Sequence, residues 1–211
     1  MIDWWFNQNV SGRVGKTSLV VRYINNVFSE KQEATIQASY LTKRLVIDGV
    51  PVTLSIWDTA GQERFHALGP IYYRDADAAL LVYDITSSET FNRVTKWVKE
   101  LQQMAPPDII MTIAANKSDL LRSKKINIQD AESYSTSIGA RLFVTSAKTG
   151  VGIDEMFLDI AKREFRTQEP KNWLIDRRKE SAEGLLTAPP RKGIVIIDDE
   201  PEKEPPPKCC S

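Results

Sequence analysis

Two short, almost wholly apolar runs constrain the fold more than any other feature of this sequence. They cover residues 78–84, "AALLVYD", and residues 109–115, "IIMTIAA". Such runs are typical of strands that are buried on both faces of a parallel sheet. Strand-like and helix-like stretches alternate from residue 10 to about residue 166. The alternation predicts an α/β fold with a doubly wound, mainly parallel sheet and helices on both faces, whose ligands bind beyond the carboxyl ends of the strands.

The remaining segments show the periods of helices and of a further strand. Apolar residues spaced as on one helix face occur twice, at Phe91, Val94, Trp97, Val98 and Leu101 and at Ile153, Met156, Phe157 and Ile160. Residues 86–89, "TSSE", fit a capping box at the start of the first of these helices. Apolar and polar side chains alternate over residues 52–58, which predicts a strand that is half-exposed or near the edge of the sheet.

The composition narrows the class of protein. Lys+Arg 28 and Asp+Glu 28 balance to a net charge of zero, so we expect no nucleic-acid partner. The only two cysteines, Cys209 and Cys210, exclude a disulfide framework and fit a reducing cytosol. We expect no secretory signal and no spanning helix, because no apolar run approaches the roughly 18 residues that a span needs. Any membrane association must therefore have another source.

A glycine-rich loop precedes a predicted helix at residues 19–26. The phosphate-binding pattern G-x-x-x-x-G-K-[ST] is matched at Gly15, Lys16 and Thr17, but its first position is Val10 instead of glycine. Backbone N–H groups of such a loop, together with the start of the following helix, bind phosphate oxygens. We expect Lys16 to reach the outer phosphates and the Thr17 hydroxyl to bind Mg²⁺.

The segment "DTAGQ" at residues 58–62 follows the alternating strand. Asp58 is expected to hold the same Mg²⁺ through water, since this ion keeps much of its hydration in proteins. The N–H of Gly61 can approach a terminal phosphate without steric conflict. Gln62 can orient an attacking water.

Two further loops, "NKSD" at residues 116–119 and "TSAK" at residues 145–148, each follow a predicted strand. Guanine presents two adjacent hydrogen-bond donors, and the Asp119 carboxylate can accept both. Adenine has no such pair and would leave the carboxylate unpaired. The Lys117 stem can lie along the base, and the Ala147 N–H can meet the guanine carbonyl.

The four motifs, in this order, resemble the Ras superfamily of small GTPases. Residues 57–65, "WDTAGQERF", with residues 72–86, "YYRDADAALLVYDIT", resemble its Rab family. An endosomal branch of that family is resembled by residues 36–43, "IQASYLTK", residues 63–75, "ERFHALGPIYYRD", and residues 196–201, "IIDDEP". The resemblance covers residues 12–166 and implies the P-loop small GTPase fold and GTPase activity with Gln62 as the catalytic residue. It also implies GTP and GDP as substrate and product, and Mg²⁺ as cofactor. The nucleotide-binding residues that it implies are Gly12, Arg13, Val14, Gly15, Lys16, Thr17, Ser18, Phe28, Thr35, Asp58, Gly61, Asn116, Lys117, Asp119, Ser146, Ala147 and Lys148.

Some roles follow from the resemblance alone. Thr35 would join Thr17 and Asp58 on Mg²⁺ when GTP is bound, and loss of this bond on hydrolysis would release the loop. Phe28 would pack near the base. The aromatic trio Tyr40, Trp57 and Tyr72 would form the surface that effectors recognise; alternatively, the two tyrosines are half-buried structural residues. The resemblance further implies a monomer that works with exchange factors, GTPase-activating proteins, escort and dissociation-inhibitor proteins and effectors.

Residues 167–211 are predicted to be a flexible hypervariable tail. Its end resembles the double-cysteine prenylation site of Rab proteins, with lipids on Cys209 and Cys210. One lipid anchors marginally and two anchor stably, and the tail has no polybasic patch, so both are expected to be needed. The implied location is the cytoplasmic face of endosomal membranes, with cycling through the cytosol. The apolar residues 194–197 either bind the escort machinery or are incidental.

Residues 1–11 depart from the family pattern. Where the family has an apolar strand ending in glycine, this chain has "NQNV" at residues 7–10. Three consecutive amides do not suit a doubly buried strand, and valine does not easily adopt a glycine-like backbone. We therefore predict an atypical N-terminus that replaces the usual first strand. Two functions remain open: a GTP-hydrolysing switch that regulates endosomal vesicle trafficking, and a nucleotide-binding-deficient, prenylated Rab variant that acts only by binding partners.

Overall fold

The computed structural model describes residues 2–6, 14–33, 35, 39–58, 74 and 76–179. Within these ranges lie six strands, four α-helices and one 3-10 helix. In chain order they are β1 (Ile2–Phe6), α1 (Lys16–Asn25), β2 (Ser39–Ile47), β3 (Val50–Asp58), β4 (Ala78–Asp84), α2 (Ser88–Met104), β5 (Ile110–Asn116), the 3-10 helix (Ser118–Ser123), α3 (Ile128–Ser137), β6 (Arg141–Val144) and α4 (Ile153–Lys179). The hydrogen-bonded strand orders are β1-β3-β2 and β4-β5-β6.

The two apolar runs form neighbouring parallel strands, as predicted. β4 pairs with β5 from Ala78 opposite Ile110 to Asp84 opposite Asn116, and β5 pairs in parallel with β6. Every residue of β4 and the last five residues of β5 are buried, as expected for strands covered on both faces. Parallel pairing brings the carboxyl ends of these strands to one edge of the sheet. That edge carries the candidate site.

Successive residues of β4 enter two separate apolar cores. Leu80 and Val82 belong to a core shared with α1 and α4, in which the rings of Tyr23 and Phe157 stack with centroids 3.9 Å apart. Leu81 belongs to the core shared with α2 and α3. The predicted apolar stripe of α4 lines the first core and that of α2 lines the second, so both helix predictions are confirmed.

β3 is an internal strand, so its predicted position near the sheet edge is wrong. It pairs in parallel with β1 and antiparallel with β2. The polar side of β3 is also covered, because Ser55 is buried and its hydroxyl lies 2.8 Å from the hydroxyl of Tyr40 on β2. The Tyr40 ring in turn packs against Trp57, with centroids 4.8 Å apart. An aromatic pair across two strands thus buries a face that the alternating pattern assigned to solvent.

The N-terminal segment contributes the short strand β1. It pairs with β3 from Ile2 opposite Leu54 to Phe6 opposite Asp58, so both strands end at the same edge of the sheet. β1 also lies beside β4, but among the described residues no hydrogen-bonded ladder joins these two strands. Residues 7–13, with the three amides and Val10, lie outside the described residues.

The start of α2 differs from the predicted capping box. The N-cap residue is Ser87, and it makes no side-chain cap hydrogen bond. The Thr86 hydroxyl instead donates to Asp84 Oδ1 at 2.7 Å, and the Glu89 carboxylate pairs with Arg93 at 2.9 Å. Thr86 lies one residue before the N-cap, and its hydroxyl is oriented by the Asp84 carboxylate, so it does not cap this helix.

α4 extends to Lys179 and therefore passes the predicted boundary after residue 166. The rest of the predicted tail, residues 180–211 with Cys209 and Cys210, lies outside the described residues. In the part of the chain that is described, no helix is both long and apolar enough to cross a membrane.

Candidate functional site

Gly15 joins the glycine loop to the start of α1. Its φ of +88° lies in the left-handed region that glycine adopts without strain. A Cβ at this position would lie 2.7 Å from Asn116 Nδ2, so a side chain would push into the neighbouring loop. The local backbone therefore requires the glycine that the motif supplies, and it sets the amino end of α1 against the edge of the sheet.

Lys16, Thr17 and Asp58 meet beneath this loop. The Lys16 side chain is fully buried, and Thr17 and Asp58 are also buried. The Thr17 and Thr35 hydroxyl oxygens lie 2.8 Å apart, although Thr35 belongs to the segment between α1 and β2. The three residues predicted to bind Mg²⁺ are thus brought together by three different parts of the chain.

The buried carboxylate of Asp58 has an unpartnered oxygen and a raised pKa, two properties expected of a cation ligand. Its Oδ1 atom is buried and has no hydrogen-bond partner. Burial raises the pKa of this carboxyl to about 7, although a hydrogen bond with the Thr17 side chain and the charge of Lys16 act to lower it. One carboxylate with two hydroxyls is a set of hard oxygen donors, which suits Mg²⁺ bound together with water and phosphate oxygens. The residues present therefore fit this ion.

Asn116, at the end of β5, connects the loops around the site. Its Nδ2 atom donates to the Val14 carbonyl at 2.7 Å, and its Oδ1 atom accepts from the Ala147 N–H at 3.3 Å. The Thr145 hydroxyl also donates to Oδ1, at 3.4 Å. Because Asn116 is 1% exposed, these bonds are shielded from water. One buried amide thus fixes the glycine loop, the end of β5 and the loop after β6.

Asp119 and Ser146 fix the two base loops against each other. The Ser146 hydroxyl donates to Asp119 Oδ1 at 2.6 Å and accepts from the Thr149 N–H at 3.1 Å. An ionised carboxylate has about four lone-pair positions, and this bond uses one of them. The arrangement orients an exposed carboxylate that keeps acceptor capacity for a ligand.

Lys117 is held by a residue that the sequence did not single out. Its Nζ atom lies 2.6 Å from Asp84 Oδ2, at the end of β4. Asp84 is the last residue of a predicted strand, as Asp58 is, and this position was the sequence signal that could have identified it. Glu30 was also missed; its carboxylate lies 2.7 Å from Lys148 Nζ, in an exposed pair. That pair lowers the pKa of Glu30 and raises the pKa of Lys148 through their hydrogen bond.

A pocket of about 310 Å³ opens among these loops. It is framed by the start of α1, the segment after α1 and the two base loops. The predicted nucleotide-binding residues that line it are Gly15, Ser18, Phe28, Asn116, Lys117, Asp119, Ala147 and Lys148. Val14, Lys16, Thr17 and Ser146 are not among the lining residues. Val14 and Ser146 are hydrogen-bonded to lining residues, and Lys16 and Thr17 lie between Gly15 and Ser18 along the chain. The pocket has the size, the carboxylate and the helix start that a nucleotide site needs.

Two members of the predicted effector surface lie together on the sheet. Tyr40 is 45% exposed and packs on Trp57, which is partly buried against the second core. The Tyr40 hydroxyl also reaches Ser55, so this tyrosine has both a structural contact and an accessible face. The third member, Tyr72, lies outside the described residues, as do Gly12, Arg13, Gly61, Gln62, Cys209 and Cys210.

This combination of fold and site is that of a phosphate-binding-loop nucleotide protein. The family model described as "Ras family" matches residues 11–166. The chain therefore belongs to the Ras family, and its similarity to Rab proteins over most of its length identifies it as a small GTPase of the Rab type.

Several relatives bear the name "Ras-related protein Rab-21". The Mus musculus protein is 50% identical over 200 residues, which cover 95% of this chain and 88% of the relative. The Homo sapiens protein is 50% identical over 183 residues, or 87% and 79% of the two chains. The Dictyostelium discoideum protein is 51% identical over 152 residues, or 72% of each. The predicted family is confirmed.

Proposed function

We propose that this GTPase binds GTP and GDP with Mg²⁺ in the pocket described above and works as a molecular switch. The observation that carries the proposal is the convergence of Asp119, Ala147 and Gly15 on one pocket of about 310 Å³. A nucleotide whose base lies at Asp119 and Ala147 would place its phosphates at the loop before α1. The amino end of a helix favours negative charge there.

Asp119 supplies the selectivity for guanine. Its carboxylate is oriented by Ser146, and it accepts the two adjacent donors of guanine. An adenine base in this place leaves a desolvated acceptor without a donor. The buried link from Asn116 to Ala147 sets the backbone N–H that meets the guanine carbonyl.

The phosphate end carries the switch. Thr17, Thr35 and Asp58 hold Mg²⁺ when it is bound, and the ion neutralises charge on the phosphates. Lys16 adds its own positive charge, and Gln62 orients the attacking water. Thr35 lies in the segment before β2, and its hydroxyl is 2.8 Å from that of Thr17, so an ion held by both residues would tie that segment to the helix start. Loss of the terminal phosphate would weaken this tie and release the segment.

An exchange of base specificity tests the site directly. In the full-length chain, Asp119→Asn replaces an acceptor oxygen by an amide donor, which suits the carbonyl that xanthine has in place of the guanine amine. We expect the variant to lose GDP affinity and to gain affinity for xanthosine diphosphate, both measured by fluorescence titration with Mg²⁺. A gain shows that the variant is folded. Equal GDP binding by the wild type and the variant contradicts the proposal.

The cellular role is regulation of endosomal vesicle trafficking, carried out by a GTPase domain at residues 12–166 and a prenylated tail at residues 167–211. The similarity to Rab-21 proteins and the exposed Tyr40 beside Trp57 support it. Exchange factors, GTPase-activating proteins, escort and dissociation-inhibitor proteins and effectors are the partners of this cycle. The protein acts as a monomer on the cytoplasmic face of endosomal membranes and returns to the cytosol.

Lipids on Cys209 and Cys210 provide the anchor. Mass spectrometry of the C-terminal peptide from cells is expected to show two prenyl groups. The double variant Cys209→Ser and Cys210→Ser should move to the soluble fraction, and each single variant should bind membranes weakly because one lipid anchors marginally. An unmodified peptide in the membrane fraction of wild-type cells excludes this anchor.

A second candidate function is supported by the N-terminal strand. β1 pairs with β3 but, within the described part of the chain, forms no ladder with β4. The atypical sequence of residues 1–11 favours the hypothesis that the protein is a prenylated variant, which holds nucleotide poorly and acts only by binding partners. The GDP content and thermal melt of the full-length chain distinguish the two candidates. Full loading supports the switch, whereas an empty protein that loads after a family-type strand and glycine replace residues 1–10 supports the second candidate.

A further inference from the structure

The ammonium group of Lys117 is anchored at the end of β4, away from the motif that contains it. We propose that Asp84 is a positioning residue, which sets Lys117 against the base and thereby lengthens the residence time of the bound guanine nucleotide. The inference deepens the proposed guanine site and rests on it. Asp84 does not line the pocket, so it acts through Lys117.

Both carboxylate oxygens of Asp84 are engaged, which fixes the orientation of the group. Oδ1 accepts from the Thr86 N–H at 2.8 Å and from the Thr86 hydroxyl at 2.7 Å. Oδ2 lies 2.6 Å from Lys117 Nζ. The Asp84 side chain is 8% exposed, so this charge-assisted contact is shielded from water on the carboxylate side.

The backbone of Lys117 is held in an unusual conformation. Its φ of 66° and ψ of 38° place a non-glycine residue in the left-handed region, which persists only where surrounding contacts enforce it. The Lys117 carbonyl accepts from the Leu120 N–H at 2.8 Å, and the Ser118 N–H donates to the Thr145 carbonyl at 3.0 Å. These bonds fix one end of the Lys117 side chain, and Asp84 fixes the other.

A lysine that is fixed at both ends presents its methylene stem as part of the pocket wall. Lys117 lines the pocket, and its side chain remains 32% exposed. Without Asp84 the long side chain regains rotamer freedom, which must be lost again each time a base binds. The ion pair therefore pre-organises the Lys117 side chain for the base, and loss of the ion pair is expected to speed nucleotide release.

The test is a double-mutant cycle on the full-length chain. Asp84→Asn keeps an oxygen for the Thr86 donors and removes the charge that faces Lys117. Lys117→Met keeps much of the stem and removes the ammonium. The dissociation rate of fluorescent GDP is measured with Mg²⁺ for the wild type, both single variants and the double variant. Single-turnover GTP hydrolysis is measured on preloaded protein.

The matched control is Asp159→Asn. Asp159 is another mostly buried carboxylate, and it pairs with Arg141 and Arg163. Arg163 reaches the Met111 carbonyl, near the amino end of β5 and at the opposite end of the strand from Asn116. This variant removes the charge of a mostly buried carboxylate and its two ion pairs, away from the end of β5 that carries Asn116. GDP release from it should therefore match the wild type.

We expect Asp84→Asn to speed GDP release about tenfold, a moderate effect because Lys117 is partly exposed. In the Lys117→Met background the same change should alter release less than about twofold, because the group it acts through is gone. Single-turnover hydrolysis by the Asp84→Asn variant should match that of the wild type. An equal effect in both backgrounds, or none in either, overturns the inference while the GDP site stands. A wild type that binds no guanine nucleotide overturns the proposed function and this inference together.

Discussion

The side chain of Asn116 joins two loops that lie far apart along the chain. It donates to the Val14 carbonyl at 2.7 Å and accepts from the Ala147 N–H at 3.3 Å. Both bonds are buried, and both neighbours flank the pocket. The phosphate loop and the base loop therefore keep their spacing through one amide, and a change at this position is felt at both ends of a bound nucleotide.

Asn116→Ala should lower both stability and GDP affinity. The substitution leaves the buried Val14 carbonyl and Ala147 N–H without partners, which is expected to lower the free energy of unfolding by about 1–3 kcal/mol. The measurements are urea unfolding and GDP titration of the same preparation.

Asn127→Ala is the matched control for this prediction. Asn127 caps α3 through its bond to the Gln129 N–H and does not line the pocket. Its loss should lower stability by about 1 kcal/mol and leave GDP affinity unchanged. If Asn116→Ala behaves like this control, the bridging role of Asn116 is wrong.

Gly15→Ala should disrupt the site by contact as well as by backbone strain. Gly15 and Gly49 have nearly the same φ, +88° and +83°, but only at Gly15 would a Cβ meet a neighbour, 2.7 Å from Asn116 Nδ2. Gly49→Ala should therefore cost only the left-handed strain, about 1 kcal/mol. Gly15→Ala should cost more stability and weaken GDP binding by about tenfold or more. Equal losses of GDP affinity in the two variants argue against the contact.

The features that could be predicted from the sequence are those that depend on residues adjacent to one another along the chain. The burial of β4, β5 and one face of α2 could be predicted, because the apolar composition and period of each element are visible within that element. Gly15 and Asp119 lie in short motifs beside predicted elements, and both line the pocket, whereas their roles toward a ligand stay predictions. Those predictions needed no knowledge of which elements meet.

What could not be predicted depends on pairs that the fold brings together. Ser55 is buried and its hydroxyl lies 2.8 Å from that of Tyr40 on the neighbouring strand, a contact that the alternating pattern of β3 does not contain. Thr86 has the sequence position of a helix cap, but in the structure its hydroxyl donates a hydrogen bond to the Asp84 carboxylate. The link between Asp84 and Lys117 likewise has no local pattern, since it depends on the register of β4 with β5.

Thr35→Ala should weaken Mg²⁺ binding in the GTP-bound protein. The Thr35 hydroxyl lies 2.8 Å from that of Thr17, and its removal takes one oxygen from the cation site. We expect about a tenfold rise in the Mg²⁺ concentration that retains a fluorescent GTP analogue. Thr35→Ser keeps the hydroxyl and should behave nearly as the wild type. If the serine variant fails as badly as the alanine variant, the methyl group and not the hydroxyl is what matters.

Mg²⁺ binding should weaken as the pH falls below about 7. Burial raises the pKa of Asp58 to about 7, and a metal ion needs the ionised carboxylate, so protons compete with Mg²⁺ in this range. The folding stability of the metal-free protein changes with pH in the opposite direction and falls as the pH rises. The metal-free folded state holds the Asp58 proton more tightly than the unfolded chain, whose carboxyl has a pKa near 3.8. This stabilisation is complete below pH 4 and is lost as the pH rises through about 7.

The metal-free protein in EDTA should therefore melt at a lower temperature at pH 8 than at pH 6, and Mg²⁺ should stabilise it more at pH 8. Asp58→Asn has no proton to lose and should remove both differences. Histidine is the other side chain whose ordinary pKa lies in this interval, so changing the single histidine, His66→Gln, serves as the control and should retain both differences. A wild type with equal Mg²⁺ affinity at both pH values, or an Asp58→Asn protein with an unchanged pH profile, shows that another group controls the site.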